Sequence, residues 1–262
     1  DWSSDVCSSD LKNNFFLTIH HSSQIELAKK FNSSLALWIK FNTGMNRLGF
    51  DISDQANLNY FNIEKNCLMS HLACADDPQD EMNQHQFDLF NELSGFFNKT
   101  QKSILNSAGM LHFPDYGFDW VRCGIAMYGG LLNKNLRTAM TLRSKIIAIK
   151  SLKRGQRIGY GGRYTATENK TIAVIYCGYA DGYPQTAIDG TSVRINSKEC
   201  SILGRVSMDL LTVDITNQSG IKEGDWAELW SSENGISSIS NFNELISYEL
   251  MTKVTNRVVK KN

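Results

Sequence analysis

The rhythm of apolar and polar positions changes once along the chain, near residue 136. Before that point helical and strand-like periods alternate. Ser22 and Ser23 are placed to cap a short helix over 23–31, and LALWIKF at 35–41 is an apolar run of the buried-strand kind. Ser53 is placed to cap a second helix over 53–66, with a strand expected at 67–73. Asp76 and Asp77 precede a long helix whose Phe87, Phe90, Leu93 and Phe97 fall at helical spacing. A strand over 102–108 comes next, then a mixed segment ending in VRCGIAMYG at 121–129. Helices alternating with short strands predict parallel β/α units whose helices cover the sheet.

After residue 136 short β-rich runs follow one another at 138–152, 170–177, 191–195, 201–206, 210–215 and 225–229, separated by glycine-containing turns. Only 240–251 reads as helix. The predicted organisation is an α/β domain over 12–136 and an all-β domain over 137–262. Residues 1–11, DWSSDVCSSDL, contain SSD twice and no apolar period. They resemble translated sequencing-adaptor DNA and are read as a non-native tail, with the true chain expected to begin upstream.

Composition narrows the function classes. Lys plus Arg and Asp plus Glu both number 27, so a charge-driven nucleic-acid binder is not expected. No apolar run approaches the ~20 residues of a membrane-spanning helix. The six cysteines, at 7, 67, 74, 123, 177 and 200, form no CxxC pair and suggest free thiols in a reducing compartment, with no metal site. His20 and His21 read as a loop pair.

Loops at the ends of parallel strands ring one face of a sheet, which is where ligands bind. Here those loops carry Arg47, His71, Asn106, Ser107, Arg122 and Gly124. Two arginines, a histidine, a serine and a glycine on one rim suit an anionic, phosphate-bearing ligand. GYGGRY at 159–164 is not a nucleotide loop, because the run after it is a strand and not the helix such a loop must open.

The blocks NTGMNRLGF (42–50), MSHLACADD (69–77), NSA (106–108), WVRCGIAMYG (120–129), IGYGGRYTA (158–166), GYADGYP (178–184), GRVSMDLLTVD (204–214) and ISYELMTKVTNRV (246–258) resemble, in order, those of the pyridoxal-phosphate-dependent alanine racemases. The resemblance implies the C-terminal part of a (β/α)8 TIM-like barrel followed by a β-strand domain. It implies interconversion of L- and D-alanine by a two-base mechanism in a bacterial cytoplasm, with D-alanine supplied to peptidoglycan. It also implies a head-to-tail homodimer that shares its active sites.

By the same resemblance Tyr160 is one base, His71 is its hydrogen-bond partner, and Arg122 faces the pyridine nitrogen. Ser107, the amides of Gly124 and Ile125, and Tyr248 cradle the cofactor phosphate. Arg47, the amide of Met208, and Tyr179 meet the substrate, and Lys40 is a candidate for carbamylation. The chain has Asn42 where the family often has aspartate. No segment like VKANAYGHG, which holds the family's cofactor-attaching lysine, occurs in the sequence, and Lys12 in LKNNFF lacks that context. The chain by itself is therefore expected to be inactive. The alternatives are a non-catalytic module of the same fold and a racemase of wider range or one preferring serine.

Overall fold

The computed structural model describes residues 16–25, 37–54 and 66–261. The expected tail 1–11, Lys12, most of helix 23–31, the start of strand 35–41 and nearly all of helix 53–66 lie outside those residues. The chain divides into two compact units, Asp1–Gly124 and Ile125–Asn262.

In the first unit β1 (Leu17–Ile19), β2 (Leu37–Lys40), β3 (Cys67–Met69) and β4 (Gln101–Ser103) form a parallel sheet in chain order. β1 was not expected: its three residues, separated from the polar KNN run by Phe15 and Phe16, leave too short a pattern to read. Two strands are shorter than predicted, since 67–73 ends at Met69 and 102–108 at Ser103. Residues Ser107–His112 instead form a helix, α2, capped by Asn106, whose side chain accepts from the Gly109 N–H at 2.9 Å.

The long helix α1 runs Glu81–Phe96. Its cap is Asp80, accepting from the Met82 N–H at 2.8 Å, and not the Asp76–Asp77 pair. Phe87, Phe90 and Leu93 lie on its buried face and join Phe41, Leu68 and Ile104 in one core.

The second unit is built on a closed antiparallel barrel. Its strands are β5 (Leu142–Leu152), β8 (Lys170–Ile175), β9 (Ser192–Ile195), β10 (Lys198–Ile202), β11 (Leu211–Asp214) and β12 (Trp226–Trp230), in the order β10-β11-β8-β5-β12-β9. Closure removes the open edges that an antiparallel sheet otherwise exposes. Val193, Ile195, Ile175, Val213 and Leu229 fill the interior, and Tyr183 stacks on Trp230 with centroids 5.9 Å apart. A side hairpin, β6 (Arg157–Ile158) and β7 (Tyr164–Thr165), stands beside the barrel strands in sequence. The helix expected over 240–251 is two: α3 (Ile236–Phe242) and α4 (Ser247–Lys253). They are separated where Glu244 takes a left-handed φ of 55°, which an α-helix cannot accommodate.

Candidate active site

Because β2, β3 and β4 run the same way, the residues after Lys40, Met69 and Ser103 emerge at one edge of the first unit's sheet. Arg122 gathers them. Its backbone N–H donates to Leu105 O at 3.0 Å. Nη1 donates to Ser103 Oγ, and Nη2 to the Ser70 carbonyl at 2.5 Å and the Ile104 carbonyl at 3.3 Å. The guanidinium thus occupies carbonyls at the positions where β3 and β4 stop.

Nη2 also lies 3.1 Å from His71 Nδ1. Guanidinium only donates, so Nδ1 must accept, and the proton of a neutral imidazole then sits on Nε2. The Asn106 amide is 3.4 Å from Nε2. That amide is oriented by its own bonds, Oδ1 from Gly109 N–H and Nδ2 to Leu72 O at 3.2 Å, so it presents hydrogens to Nε2–H. The Asn106 amide nitrogen is therefore not an acceptor for the Nε2 proton.

Electrostatics keep the ring neutral. Burial, and then the charges of Arg122, Lys40 and Arg47, push the His71 pKa down to about 4. Burial lowers Arg122 to about 10, which leaves it charged at neutral pH. Lys40 is buried, and burial followed by the charges of Arg47 and Arg122 lowers its pKa. Every charge acting on His71 and Lys40 here is positive, so an anionic ligand such as a phosphorylated pyridoxal fits the rim electrostatically.

Ser107 Oγ accepts from the Gly124 N–H at 2.8 Å, which brings together two residues expected to cradle phosphate. Ile125 is the first residue of the second unit, with a buried side chain at the start of a 3-10 turn. Arg47 is exposed in a turn that Asn42 organises: Asn42 Oδ1 accepts from the N–H groups of Gly44 and Asn46, and Nδ2 donates to Asn46 Oδ1 at 2.9 Å. Phe50 returns to pair beside Lys40 and Asn42. At Gly49, with φ of 137°, an added Cβ would lie 2.5 Å from Asn42 N.

In the second unit Tyr160 tips a reversal between β6 and β7. Gly159, Gly161 and Gly162 there all have positive φ, and Tyr160 is 73% exposed. Arg157 holds the reversal by donating to the Gly161 and Gly162 carbonyls at 2.9 and 3.0 Å. Tyr179 and Met208 are neighbours. Tyr179 N–H donates to Ser207 O and Ala180 N–H to Met208 O, both at 3.0 Å. Tyr248 is exposed on α4. Among the described residues no group of three His, Cys, Asp or Glu could hold a metal ion, and no helix is long and apolar enough to cross a membrane. Cys67, Cys74, Cys123, Cys177 and Cys200 are free.

Two residues that hold this rim together were not singled out in the sequence. Asn83 and Gln86 are buried polar residues on the same stripe of α1 as Phe87 and Phe90. A polar position inside an apolar stripe was the available signal.

A parallel β/α sheet with a cationic rim and a closed antiparallel barrel define a two-unit protein whose rim suits a small anionic ligand. Residues 3–131 match the alanine racemase N-terminal domain and 139–262 the alanine racemase C-terminal domain. The chain is 38% identical over 255 residues to an alanine racemase of Shewanella denitrificans, covering 92% of this chain and 70% of that one. It is also 38% identical to one from Vesicomyosocius okutanii, covering 95% and 73%.

The structure of alanine racemase from Acinetobacter baumannii superposes with a TM-score of 0.91 at 31% identity, over 99% of this chain and 77% of that one. The Bartonella henselae enzyme, solved with covalently bound pyridoxal phosphate, gives 0.83 at 27% identity, over 97% and 75%. The chain belongs to the alanine racemase family, isomerases that use pyridoxal phosphate. Its fold class is the one the sequence implied, a TIM-type barrel domain followed by a β domain.

Proposed function

We propose that the chain serves the interconversion of L- and D-alanine by two bases acting on opposite faces of Cα, with pyridoxal phosphate held at the rim of the first unit. The observation that carries this reading is the Arg122–His71 contact inside a cluster of cations. Pyridoxal phosphate, when bound, supplies the electron sink that makes the alanine Cα–H acidic. Arg122, a cation with no acceptor, would meet the pyridine nitrogen of a bound cofactor and leave it unprotonated, which would disfavour transamination. Ser107 Oγ would meet a phosphate oxygen, and the Gly124 amide would do so by exchanging its bond to Ser107 Oγ for one to phosphate. Arg47 orients the substrate carboxylate with its guanidinium fork.

The second base is Tyr160 of the partner subunit in a head-to-tail homodimer, which receives the Nε2–H of His71 and moves a proton to and from Cα. The exposure of Tyr160 at the tip of its hairpin supports a role outside its own unit. In the same arrangement Tyr179 and the Met208 amide serve the substrate. D-alanine would supply peptidoglycan in a bacterial cytoplasm, a compartment with which the free thiols agree.

The test has two levels. The chain is first titrated with pyridoxal phosphate by tryptophan fluorescence, where Arg122→Leu should weaken binding by about tenfold or more. Alanine Cα–H exchange in heavy water is then followed with the chain extended by a segment of the VKANAYGHG form. There Tyr160→Phe should damage exchange far more than cofactor binding. Binding with no exchange in the extended chain would instead favour the non-catalytic module.

A further inference from the structure

We infer that Gln86 is a positioning residue for His71: from the second turn of α1 its amide grips the backbone on both sides of Leu72 and sets the imidazole against Arg122. The inference rests on the proposed role of His71 and deepens it.

Gln86 is fully buried. A buried primary amide is costly unless its two hydrogens and its oxygen find partners, and a leucine would fill the same space without that demand. Here all three are engaged. Nε2 donates to the His71 carbonyl at 2.9 Å and to Thr43 Oγ1 at 3.2 Å, while Oε1 accepts from the Ala73 N–H at 2.7 Å. Flipping the amide would set oxygen against the His71 carbonyl and hydrogens against the Ala73 N–H, so its orientation is fixed by its surroundings.

The grip extends beyond one loop. Thr43 Oγ1 meets Ser70 Oγ at 2.7 Å, and Ser70 Oγ donates to Phe41 O at 2.9 Å. One side chain therefore ties the loop after β2, which leads to Arg47, to the loop after β3, which carries His71. Asn83, one turn earlier on α1, continues the arrangement by donating to the carbonyls of Cys74 at 3.2 Å and Asp77 at 2.8 Å. The helix is itself anchored by Phe87, Phe90 and Leu93, so the grip has a rigid base. The last ladder bond of β3 is from the Ser70 N–H to Ser103 O at 3.0 Å, and beyond it the amide contacts of Gln86 hold the backbone at His71 and Ala73.

The experiment reads the His71 ring in the full chain without ligand. Long-range ¹⁵N–¹H correlation reports its tautomer and midpoint in wild type, Gln86→Met and Phe90→Leu. The last variant loosens the same helix without touching the amide. The charged groups acting on the ring are Arg122, Lys40 and Arg47, unchanged in all three proteins.

Gln86→Met should raise the His71 midpoint by about one pH unit or more, toward its ordinary 6.5, and populate both tautomers. Phe90→Leu should lower the melting temperature and leave both ring properties alone. If Gln86→Met loses stability yet keeps the wild-type midpoint and tautomer, the positioning role is wrong. Should Gln86→Met not fold, hydrogen exchange on the wild type decides: the Ala73 amide must be protected like a helical one, and exchange at loop rates overturns the proposal. A chain that fails to bind pyridoxal phosphate sinks the functional reading while these readouts stand apart from it.

Discussion

Arg122 Nη2 approaches His71 Nδ1 to 3.1 Å, and this contact decides which imidazole nitrogen carries the proton. A guanidinium has no lone pair to offer, so Nδ1 accepts and the proton of the neutral ring sits on Nε2, 3.4 Å from the Asn106 amide nitrogen. The same nitrogen of Arg122 serves the Ser70 and Ile104 carbonyls, so ring orientation and strand termination have one cause.

Replacing that fork by a point charge should separate the two. In Arg122→Lys a single ammonium cannot reach Ser103 Oγ, both carbonyls and the imidazole together. The expected result is a mixed His71 tautomer and a stability loss of about 1–3 kcal/mol in urea unfolding, from acceptors left without partners. An unchanged tautomer would show that charge alone, without fork geometry, suffices.

His71 gives stability a pH dependence with a definite sign. Its folded pKa of about 4 lies below the ordinary 6.5, so between those values the unfolded chain binds the additional proton. Stability is therefore full above about pH 6.5 and falls as the pH drops toward 4, by about 2 kcal/mol after discounting for partial exposure. Asp214 and Asp225, whose pKa values are lowered, act in a more acidic window below the ordinary 3.8. Urea melts from pH 7 to 4 should show the slope in wild type and a flatter line in His71→Asn. Equal slopes would mean that other groups set the acid limb.

How far the sequence revealed this site depended on the kind of signal. The apolar stripe of α1 and five of the six barrel runs were legible because burial imposes periodicity, whereas the run expected over 201–206 overlaps β10, Lys198–Ile202, by only two residues. Strand ends were not, since runs such as CLMSHLA stay apolar after the ladder has stopped and Arg122, distant in sequence, has taken the carbonyls. Gln86 was hidden for the opposite reason: it sits in a stripe read for its phenylalanines, and its partners Thr43 and His71 are 43 and 15 residues away. The break between α3 and α4 depends on the backbone of Glu244, which composition does not announce. Arg47, His71 and Arg122 were found by their places at strand ends and Lys40 by family motif, whereas their mutual electrostatics needed coordinates.

Gly178 separates steric from conformational needs. Its φ of −155° suits any residue, but an added Cβ would lie 2.3 Å from the carbonyl oxygens of both Ser207 and Met208. Gly178→Ala should therefore push apart the loops carrying Tyr179 and Met208 and cost more than about 2 kcal/mol. Gly155 is the contrasting case, with φ of +83° and open space around it. Gly155→Ala should cost only about 1–2 kcal/mol of backbone strain. Thermal melts of the two variants test the ranking, and a reversal would show that the Gly178 loops yield easily.

Lys40 carries the last prediction, the carbamylation implied by the family resemblance. Its side chain is buried at the end of β2, and burial together with Arg47 and Arg122 disfavours the ammonium. The ammonium first loses one proton; the neutral amine then adds to carbon dioxide, an N–C bond forming as one C=O π bond breaks and a second proton leaves, so the site changes overall from a cation to a carbamate anion. Repulsion from the two arginines becomes attraction, which favours the product at a rim whose other charges are positive. With ¹³C-labelled bicarbonate at mildly alkaline pH the protein should show a carbamate carbon resonance that disappears in Lys40→Arg. It should also fade as the pH is lowered and the amine reclaims its proton. A resonance that survives in Lys40→Arg belongs to another amine, and no resonance at all would mean that the arginines are balanced by a different anion.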